Sequence, residues 1–342
     1  MKKIVGIIAA VAMAASVFAV DFSAGTKIGG SLFNYDENGK IHMFKEANGS
    51  SKDANPNFSF SIGDDKAGAA IKITSNGGQA ASGGYATVGA AAQSIWFKPF
   101  DMLKVTVGTT GTNLNQEHVS WWRGSQSGTA GEAGYALAFT PIDGLEIDAF
   151  ILMGEGNWWF DDGSVNELAV KFQYSADFGT IAALFDANSK FKDLKFGAGY
   201  ANNFNGVNAW ANVLGFYAGE KFQRVRLELD ANGSADAFSY EVFVPVDIAI
   251  EQGTGYWTNI TGTMVAPDPV AVGLVAKVGY NLGGANVSLE LRDSNLLAKD
   301  FSMVIEPKIS GNHGCMAWDL AVTLNCAKTF TVDVPVNFAF NF

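Results

Sequence analysis

Charged residues are scarce in this sequence, and the basic ones are outnumbered by the acidic ones. They make up 17% of the 342 residues, whereas soluble domains average about 25%. The 23 Lys and Arg against 34 Asp and Glu leave a net charge of −11, which would repel a phosphate backbone. No nucleic-acid partner is therefore expected. A disordered chain is excluded too, because disorder needs low hydrophobicity and 48% of these residues are hydrophobic.

Histidine and cysteine are nearly missing, which removes most of the usual material for enzyme and metal sites. None of His42, His118 and His313 belongs to a His-Glu-x-x-His motif or lies beside a Gly-x-Ser-x-Gly motif. We therefore expect no enzyme, no metal site and no cofactor. Cys315 and Cys326 lie at opposite ends of one predicted strand, roughly 30 Å or more apart, whereas a disulfide needs Cα atoms within about 7 Å. Either the two thiols are free or this segment is not one strand.

Long apolar segments are missing except near the start. Lys2 and Lys3 precede an uncharged apolar run over 4–16, and Val17-Phe18-Ala19 has the spacing of a signal-peptidase site. Residues 1–19 are therefore predicted to be a cleaved signal peptide, followed by one domain over 20–342. The longest later stretch without a charge, 73–97, contains five glycines, which rules out a membrane-spanning helix. The membrane architecture that remains is a closed β-barrel.

Alternation of apolar and polar residues is the strongest positive signal. Over residues 330–342 a bulky apolar side chain occupies every even position, and successive side chains of a strand point to opposite faces. This segment resembles the C-terminal strand of bacterial outer-membrane β-barrel proteins, whose terminal aromatic residue is recognised by the barrel-assembly machinery. The resemblance implies that Phe338, Phe340 and Phe342 are the assembly signal. It also implies a porin-like protein in the bacterial outer membrane, in contact with its lipid.

Eighteen segments with strand-like patterns follow one another along the chain. The predicted strands are residues 22–33, 57–63, 69–75, 85–97, 103–109, 134–140, 145–152, 165–174, 179–186, 193–201, 206–214, 222–230, 237–250, 270–280, 286–292, 301–308, 315–325 and 330–342. They predict an all-β fold, a single closed antiparallel transmembrane β-barrel of 16–18 strands, with eighteen as the best count and no plug domain. Long loops and short turns lie at opposite ends of such barrels, which places the connections 34–56, 110–133 and 251–269 outside and the Pro-x-Asp turns at 99–101 and 141–143 inside.

The strand count carries the predicted function, because sixteen to eighteen strands enclose an aqueous channel whereas about eight leave no room for one. We predict a porin for the passive diffusion of small hydrophilic solutes. Both signs of charge fall on the lumen face, and acidic loops favour a weak preference for cations. The predicted pore-lining residues are Lys27, Lys72, Lys104, Glu146, Asp148, Glu167, Lys171, Lys195, Arg224, Arg226, Glu228, Asp230, Glu241, Asp247, Glu290 and Arg292.

Aromatic residues in the loops leave a second function open. They form either an interfacial girdle or a binding surface, and in the second case the protein is a surface adhesin or a structural barrel. Segment 110–133 either constricts the pore or faces outward. A homotrimer and a monomer are both compatible with the sequence. The tryptophans concerned are Trp121, Trp122, Trp158, Trp159 and Trp257.

Overall fold

The computed structural model describes residues 19–46, 57–76, 87–110, 132–153, 165–188, 191–251, 269–300 and 302–341. These residues form β-strands that all belong to one antiparallel sheet. The strands are β1 (Ala19–Tyr35), β2 (Ile41–Glu46), β3 (Asn57–Gly63), β4 (Ala67–Asn76), β5 (Thr87–Phe100), β6 (Leu103–Thr110), β7 (Glu132–Ile142), β8 (Leu145–Met153), β9 (Val165–Ala176), β10 (Gly179–Asn188), β11 (Asp193–Phe204), β12 (Val207–Ala218), β13 (Lys221–Ala235), β14 (Phe238–Ala249), β15 (Val270–Val272), β16 (Leu274–Asn281), β17 (Ala285–Asp293), β18 (Met303–His313), β19 (Met316–Ala321), β20 (Thr323–Cys326) and β21 (Thr331–Asn341).

Within these ranges, none of the secondary structure is a helix of the length and apolarity that a membrane crossing requires. β1 begins at Ala19, one residue before the predicted start of the mature protein. Residues 1–18 lie outside the described ranges, so the signal peptide stays a prediction.

The sheet closes into a barrel because its first and last strands pair with each other. β1 runs antiparallel to β21, with Gly25 opposite Asn341 and Tyr35 opposite Val332. On its other side, β1 pairs with β3 near its start and with β2 near its end. A closed sheet satisfies the backbone groups that an open edge would expose to lipid.

Three positions around the barrel are each shared by two short strands: β2 with β3, β15 with β16, and β19 with β20. The wall therefore has eighteen positions, and the predicted single closed barrel of eighteen strands is confirmed. β15 and β16 separate opposite Pro245, and β19 and β20 separate opposite Pro307, because proline has no N–H to donate to the ladder. The two proline carbonyls still accept bonds from the backbone N–H of Gly273, at 2.8 Å, and of Val322, at 2.9 Å.

The first connection differs from the prediction of one long loop over residues 34–56. β1 continues to Tyr35, and after a short turn the chain returns as β2, paired with β1. Prediction missed β2 because its apolar residues do not alternate: Ile41, Met43 and Phe44 are all exposed, and Phe44 has a φ of 52°.

Asp36 holds the turn between β1 and β2. Its Oδ1 accepts hydrogen bonds from the backbone N–H of Asn38 and of Lys40, both at 2.9 Å. Its Oδ2 lies 3.0 Å from Nε2 of His42. These contacts, with His42 the largest cause, lower the pKa of the Asp36 carboxyl below its ordinary value.

The two predicted Pro-x-Asp turns are confirmed as tight connections at the opposite end of the barrel. Asp101-Met102 joins β5 to β6, and Asp143-Gly144 joins β7 to β8. In both hairpins the register shifts just before the turn, at the residues around Pro99 and Pro141. The two hairpins are alike because each proline lacks the N–H that a regular ladder would use.

Every connection at this end, from β3–β4 to β18–β19, is a turn of two or three residues. The described strands also begin and end here. Ala19 pairs with Gly63, which precedes the β3–β4 turn, and the N–H of Asn341 donates to the carbonyl of Cys315 in the β18–β19 turn. The strand ends between which the chain has an undescribed internal range all lie away from this end of the barrel. The predicted division into a short-turn end and a long-loop end therefore holds.

A glycine at one of these turns provides a test of the hairpin geometry. Gly144 has a φ of +80°, and a Cβ added there would lie 2.3 Å from the carbonyl oxygen of Ser175. A side chain at such a φ costs on the order of 1–3 kcal/mol, and the clash adds to this. We expect Gly144→Ala to shift the urea unfolding midpoint of the detergent-refolded barrel to a clearly lower concentration.

The matched control is Gly206→Ala, because Gly206 has a φ of +94° with no atom within 4 Å of the added Cβ. Its loss of stability is expected to be smaller, since only the backbone strain applies. Equal losses in the two variants would show that the contact with Ser175 does not limit residue size at position 144.

Candidate functional site

Side chains of β13 show which face of the wall is the lumen. Leu227 and Leu229 are 37% and 49% exposed, whereas Arg226 and Glu228 between them are fully buried. A membrane barrel turns its apolar side chains toward lipid, so the face that carries the arginine and the glutamate is the lumen face. The same alternation continues on β14, where Asp247 is buried and Val242 is exposed.

A network of buried charges lies on the lumen face of β13 and β14. Arg224 Nη1 is 2.6 Å from Asp247 Oδ1, and Arg226 Nη1 is 2.7 Å from Asp247 Oδ2. Arg226 also donates from Nε to Glu228 Oε1 at 2.9 Å. The four charges therefore form one chain in which each carboxylate has a guanidinium partner. Because the side chains are at most 2% exposed, water screens these pairs little.

Neutral residues of β12 complete this network. Asn212 donates from Nδ2 to Glu228 Oε2 at 3.3 Å. The guanidinium carbon of Arg224 lies 4.3 Å from the centre of the Phe216 ring, a cation–π contact that replaces part of the lost hydration. These contacts are possible because the register places Asn212 opposite Glu228 and Phe216 opposite Arg224.

Arg292 forms a second cluster across β17, β18 and β20. Its Nη2 is 2.8 Å from Glu306 Oε2, and its Nε is 3.4 Å from Glu290 Oε1. Glu306 also accepts a hydrogen bond from the Thr323 hydroxyl at 3.3 Å. The register sets Glu290 directly opposite Glu306, so Arg292 compensates a pair of like charges that would otherwise repel each other.

Lys171 forms a third cluster between β8 and β9. Its Nζ is 2.8 Å from Asp148 Oδ2 and 3.3 Å from Glu146 Oε1. One lysine thus joins two carboxylates. Lys195 on β11 makes a simpler pair with Asp186 on β10, at 3.3 Å. The three clusters and this pair bring together most of the predicted pore-lining residues.

The other predicted lining residues are spread around the wall. Lys72 and Lys104 are exposed, and the Lys104 ammonium lies 4.7 Å from the centre of the Trp96 ring. Asp230 is buried and accepts a hydrogen bond from Asn232 at 2.8 Å. Glu167 is buried, and Glu241 is half-buried opposite Asn232. Lys27 lies in β1 opposite Ala339, and its side chain is outside what the structure describes.

Several other predicted positions are only partly covered. Phe338 and Phe340 lie in β21, with Phe338 38% exposed. Phe342, segment 111–131 and all five loop tryptophans lie outside the described residues, so these predictions stay open. The five are Trp121, Trp122, Trp158, Trp159 and Trp257.

Buried apolar residues on the lumen face were missed by sequence reasoning. Trp210 and Phe243 are 3% and 0% exposed, with ring centres 5.7 Å apart. Leu214 and Phe216 pack together with Ala182 and Leu184. The sequence signal for these residues is the number of positions that separates each from a charged residue of the same strand, because residues an even number apart share a face. β12 hides this signal, because apolar residues occur on both of its faces.

Among the described residues, the lumen wall also contains open recesses, of which two are relevant here. One, of about 440 Å³, lies near the short turns between β13 and β18 and is polar on its lumen side. The other, of about 370 Å³, lies on β1 and β3–β5 and is lined by serines such as Ser59, Ser61 and Ser94.

The described residues contain no group of three or more His, Cys, Asp or Glu side chains arranged to hold a metal ion. Cys315 and Cys326 are both free. They lie at opposite ends of the position shared by β19 and β20, as the strand assignment required.

No protein-family model matches the chain, and no curated protein matches it in sequence. Solved structures do resemble it. OccK9 (OpdG) of Pseudomonas aeruginosa superposes with a TM-score of 0.59 at 9% identity, over 95% of this chain and 98% of that one. The OpdQ structure from the same organism gives 0.59 at 11% identity, over 96% and 98%. A mutant porin of Rh. blastica gives 0.51 at 11% identity, over 94% and 100%.

The chain folds as a porin-like barrel. The superpositions with the Pseudomonas structures extend over 95–96% of this chain and 98% of the other chain, and a structure whose title calls it a porin matches over 94% of this chain. Because only about one residue in ten is identical, the similarity to these structures shows the fold alone.

Arg226 provides a test of the buried network. Replacing it with methionine removes the guanidinium partner of Glu228 and one of the two guanidinium partners of Asp247. Breaking a buried ion pair on one side costs about 3–5 kcal/mol. We expect Arg226→Met to lower the free energy of unfolding by that amount in urea titrations of the refolded barrel.

The control is Lys221→Met, which breaks the pair between Lys221 and Glu251 at 3.4 Å. These side chains are 62% and 41% exposed, so the change is expected to stay within about 1 kcal/mol. If both variants lowered the free energy of unfolding by the same small amount, the Arg226 network would not stabilise the wall.

Proposed function

We propose that this chain is a channel of the bacterial outer membrane through which small hydrophilic solutes diffuse passively. The observation that carries the proposal is a closed wall of eighteen strands with apolar side chains outward and charged side chains inward. Barrels of this size enclose an aqueous channel. A signal peptide over residues 1–19, predicted from the sequence, would export the chain, and it supports the same assignment together with the C-terminal aromatic strand. Phe342 would be read by the barrel-assembly machinery, and the apolar exterior would face lipid.

The channel would have no catalytic role and only a weak preference for cations. The three clusters on the lumen face combine four arginine or lysine side chains with six carboxylates, which leaves a small excess of negative charge along the wall. The whole chain still carries a charge of −11, and an acidic mouth concentrates cations by focusing the field. The sixteen predicted lining residues, from Lys27 to Arg292, are the groups that solutes would meet.

Conductance in planar bilayers tests the channel directly. The purified, refolded barrel is expected to give discrete and long-lived current steps, with a reversal potential in a salt gradient that slightly favours the cation. A heat-denatured sample is the control. A folded barrel that gives no steps would contradict the channel, and a clear anion preference would contradict the charge argument alone.

The orientation of the wall in lipid can be tested at Leu229, which lies at the middle of β13 and is 49% exposed. An arginine on the lipid face near the midplane costs about 2–4 kcal/mol. Leu229→Arg is therefore expected to unfold more easily than the parent in lipid vesicles. Ser61→Arg on the lumen face is the matched control and should cost much less, since its charge meets water. Equal costs would contradict the assignment of the two faces.

The alternative function, an adhesin or a structural barrel, depends on the loop tryptophans, which lie outside the described residues. It therefore stays a prediction from the sequence. A homotrimer is likewise a proposal, to be tested by the mass of the detergent-solubilised protein.

A further inference from the structure

A recess of about 440 Å³ opens on the lumen wall in the described part of the chain. It lies close to the short turns, and β13, β14, β16, β17 and β18 contribute to it. Cavities of 300–1,000 Å³ are typical of sites for small molecules. Because the register sets Gly279 opposite Ser288 and Ser288 opposite Lys308, side chains from adjacent strands converge on one space.

Hydroxyl and amide groups make up most of its polar lining. Ser239, Ser288 and Ser310 each present a hydroxyl, and Asn286 presents an amide. A hydroxyl donates one hydrogen bond and accepts others, and an amide does both as well. The cavity therefore offers donors and acceptors together, spread over several strands.

The charged groups around the cavity largely compensate one another. Glu290 and Glu306 line it, and both are bound to Arg292 at 3.4 Å and 2.8 Å. Lys308 lies 3.5 Å from Asp319. Lys277, the remaining lysine of the lining, stands in register between Glu241 and Glu290. Asp236, in the turn between β13 and β14, also lines the cavity, so three acids face two lysines and the Arg292 that is bound to both glutamates. No large excess of either sign faces the space, so a charged solute would gain little there.

Gly279 keeps space open between two serines of the cavity lining. A Cβ added at Gly279 would lie 2.6 Å from the Ser239 hydroxyl oxygen. A side chain at this position would collide with the Ser239 hydroxyl, and its Cβ would lie 3.9 Å from the Cβ of Ser288. The glycine therefore keeps the space between these two serines open.

We propose that this cavity is a binding subsite for neutral solutes rich in hydroxyl groups, of the size of a simple sugar. Each solute hydroxyl would exchange hydrogen bonds with serines and asparagine and with the charged groups that flank them. The proposal rests on the channel function and adds to it a substrate class. The solute would pause here, close to the short-turn end, before leaving the bore.

Binding is measured on the full-length barrel in detergent by titration calorimetry, so the result does not depend on conduction. The probes are glucose, the anion gluconate and the cation glucosamine. Glucose is expected to give weak, saturable heat, and the two charged probes to bind no more tightly than glucose. Failure of glucose to bind, or clearly tighter binding of gluconate or glucosamine, would overturn the proposal.

The variant is Ser288→Leu, which fills the cavity and removes one hydroxyl. We expect it to weaken glucose binding about tenfold or more, as loss of a hydrogen bond with steric filling implies. The matched control, Ser61→Leu, makes the same change on the lumen face of β3, in the other recess, and should leave glucose affinity unchanged. Both variants must keep the heat-modifiable electrophoretic shift of a folded barrel. Ser310→Leu, which also fills the cavity and removes one hydroxyl, replaces Ser288→Leu if that variant does not fold.

Equal effects of the Ser288 and Ser61 changes would overturn the subsite, because binding would then be a property of the whole bore. Current recordings separate this result from the parent proposal. Channels that conduct without binding glucose would contradict only the subsite, whereas glucose binding by a folded barrel that passes no current would contradict only the channel.

Discussion

The whole molecule depends on hydrogen bonding between β1 and β21. In a membrane no water is available to satisfy an unpaired N–H or C=O, so a sheet can persist there only if it has no edge. The pairs from Gly25 with Asn341 to Tyr35 with Val332 remove that edge. Once the ring is closed, its circumference is set by the number of strands, and eighteen of them leave a bore that packing of the wall alone does not fill.

Closure also explains why so many charges can be kept inside. The lumen face of β13 buries two arginines and two acids with almost no exposure, and burial of unpaired charge would be very costly. The register resolves this by placing Asp247 beside both guanidinium groups and Asn212 beside Glu228. The wall is thus polar toward the bore, and the charges at these points are paired. Such a lining is hydrophilic, but it does not select strongly between ions of opposite charge.

Much of this fold can be predicted from the sequence, because each strand of a membrane barrel needs apolar side chains toward lipid and polar side chains toward the bore. Arg224 and Arg226 had to face away from lipid, and the numbering of Leu227 and Leu229 was enough to show it. The partner of the arginines was not accessible, because the register between β13 and β14 depends on turn geometry and backbone pairing. β2 was missed for lack of alternation, and Trp210 and Phe216 because β12 is apolar on both faces. Local pattern determines which way a residue points, while contacts across strands require the assembled wall.

The long-range pairing of β1 has a consequence for how the barrel is made. Residues near position 25 find their partners near position 341, more than three hundred residues later in synthesis. Contacts of such sequence separation slow folding, because the entropy of the intervening loop must be lost before they form. The ring cannot close before β21 has been synthesised. Until β1 and β21 pair, the sheet keeps two open edges whose N–H and C=O groups lack partners in the ladder.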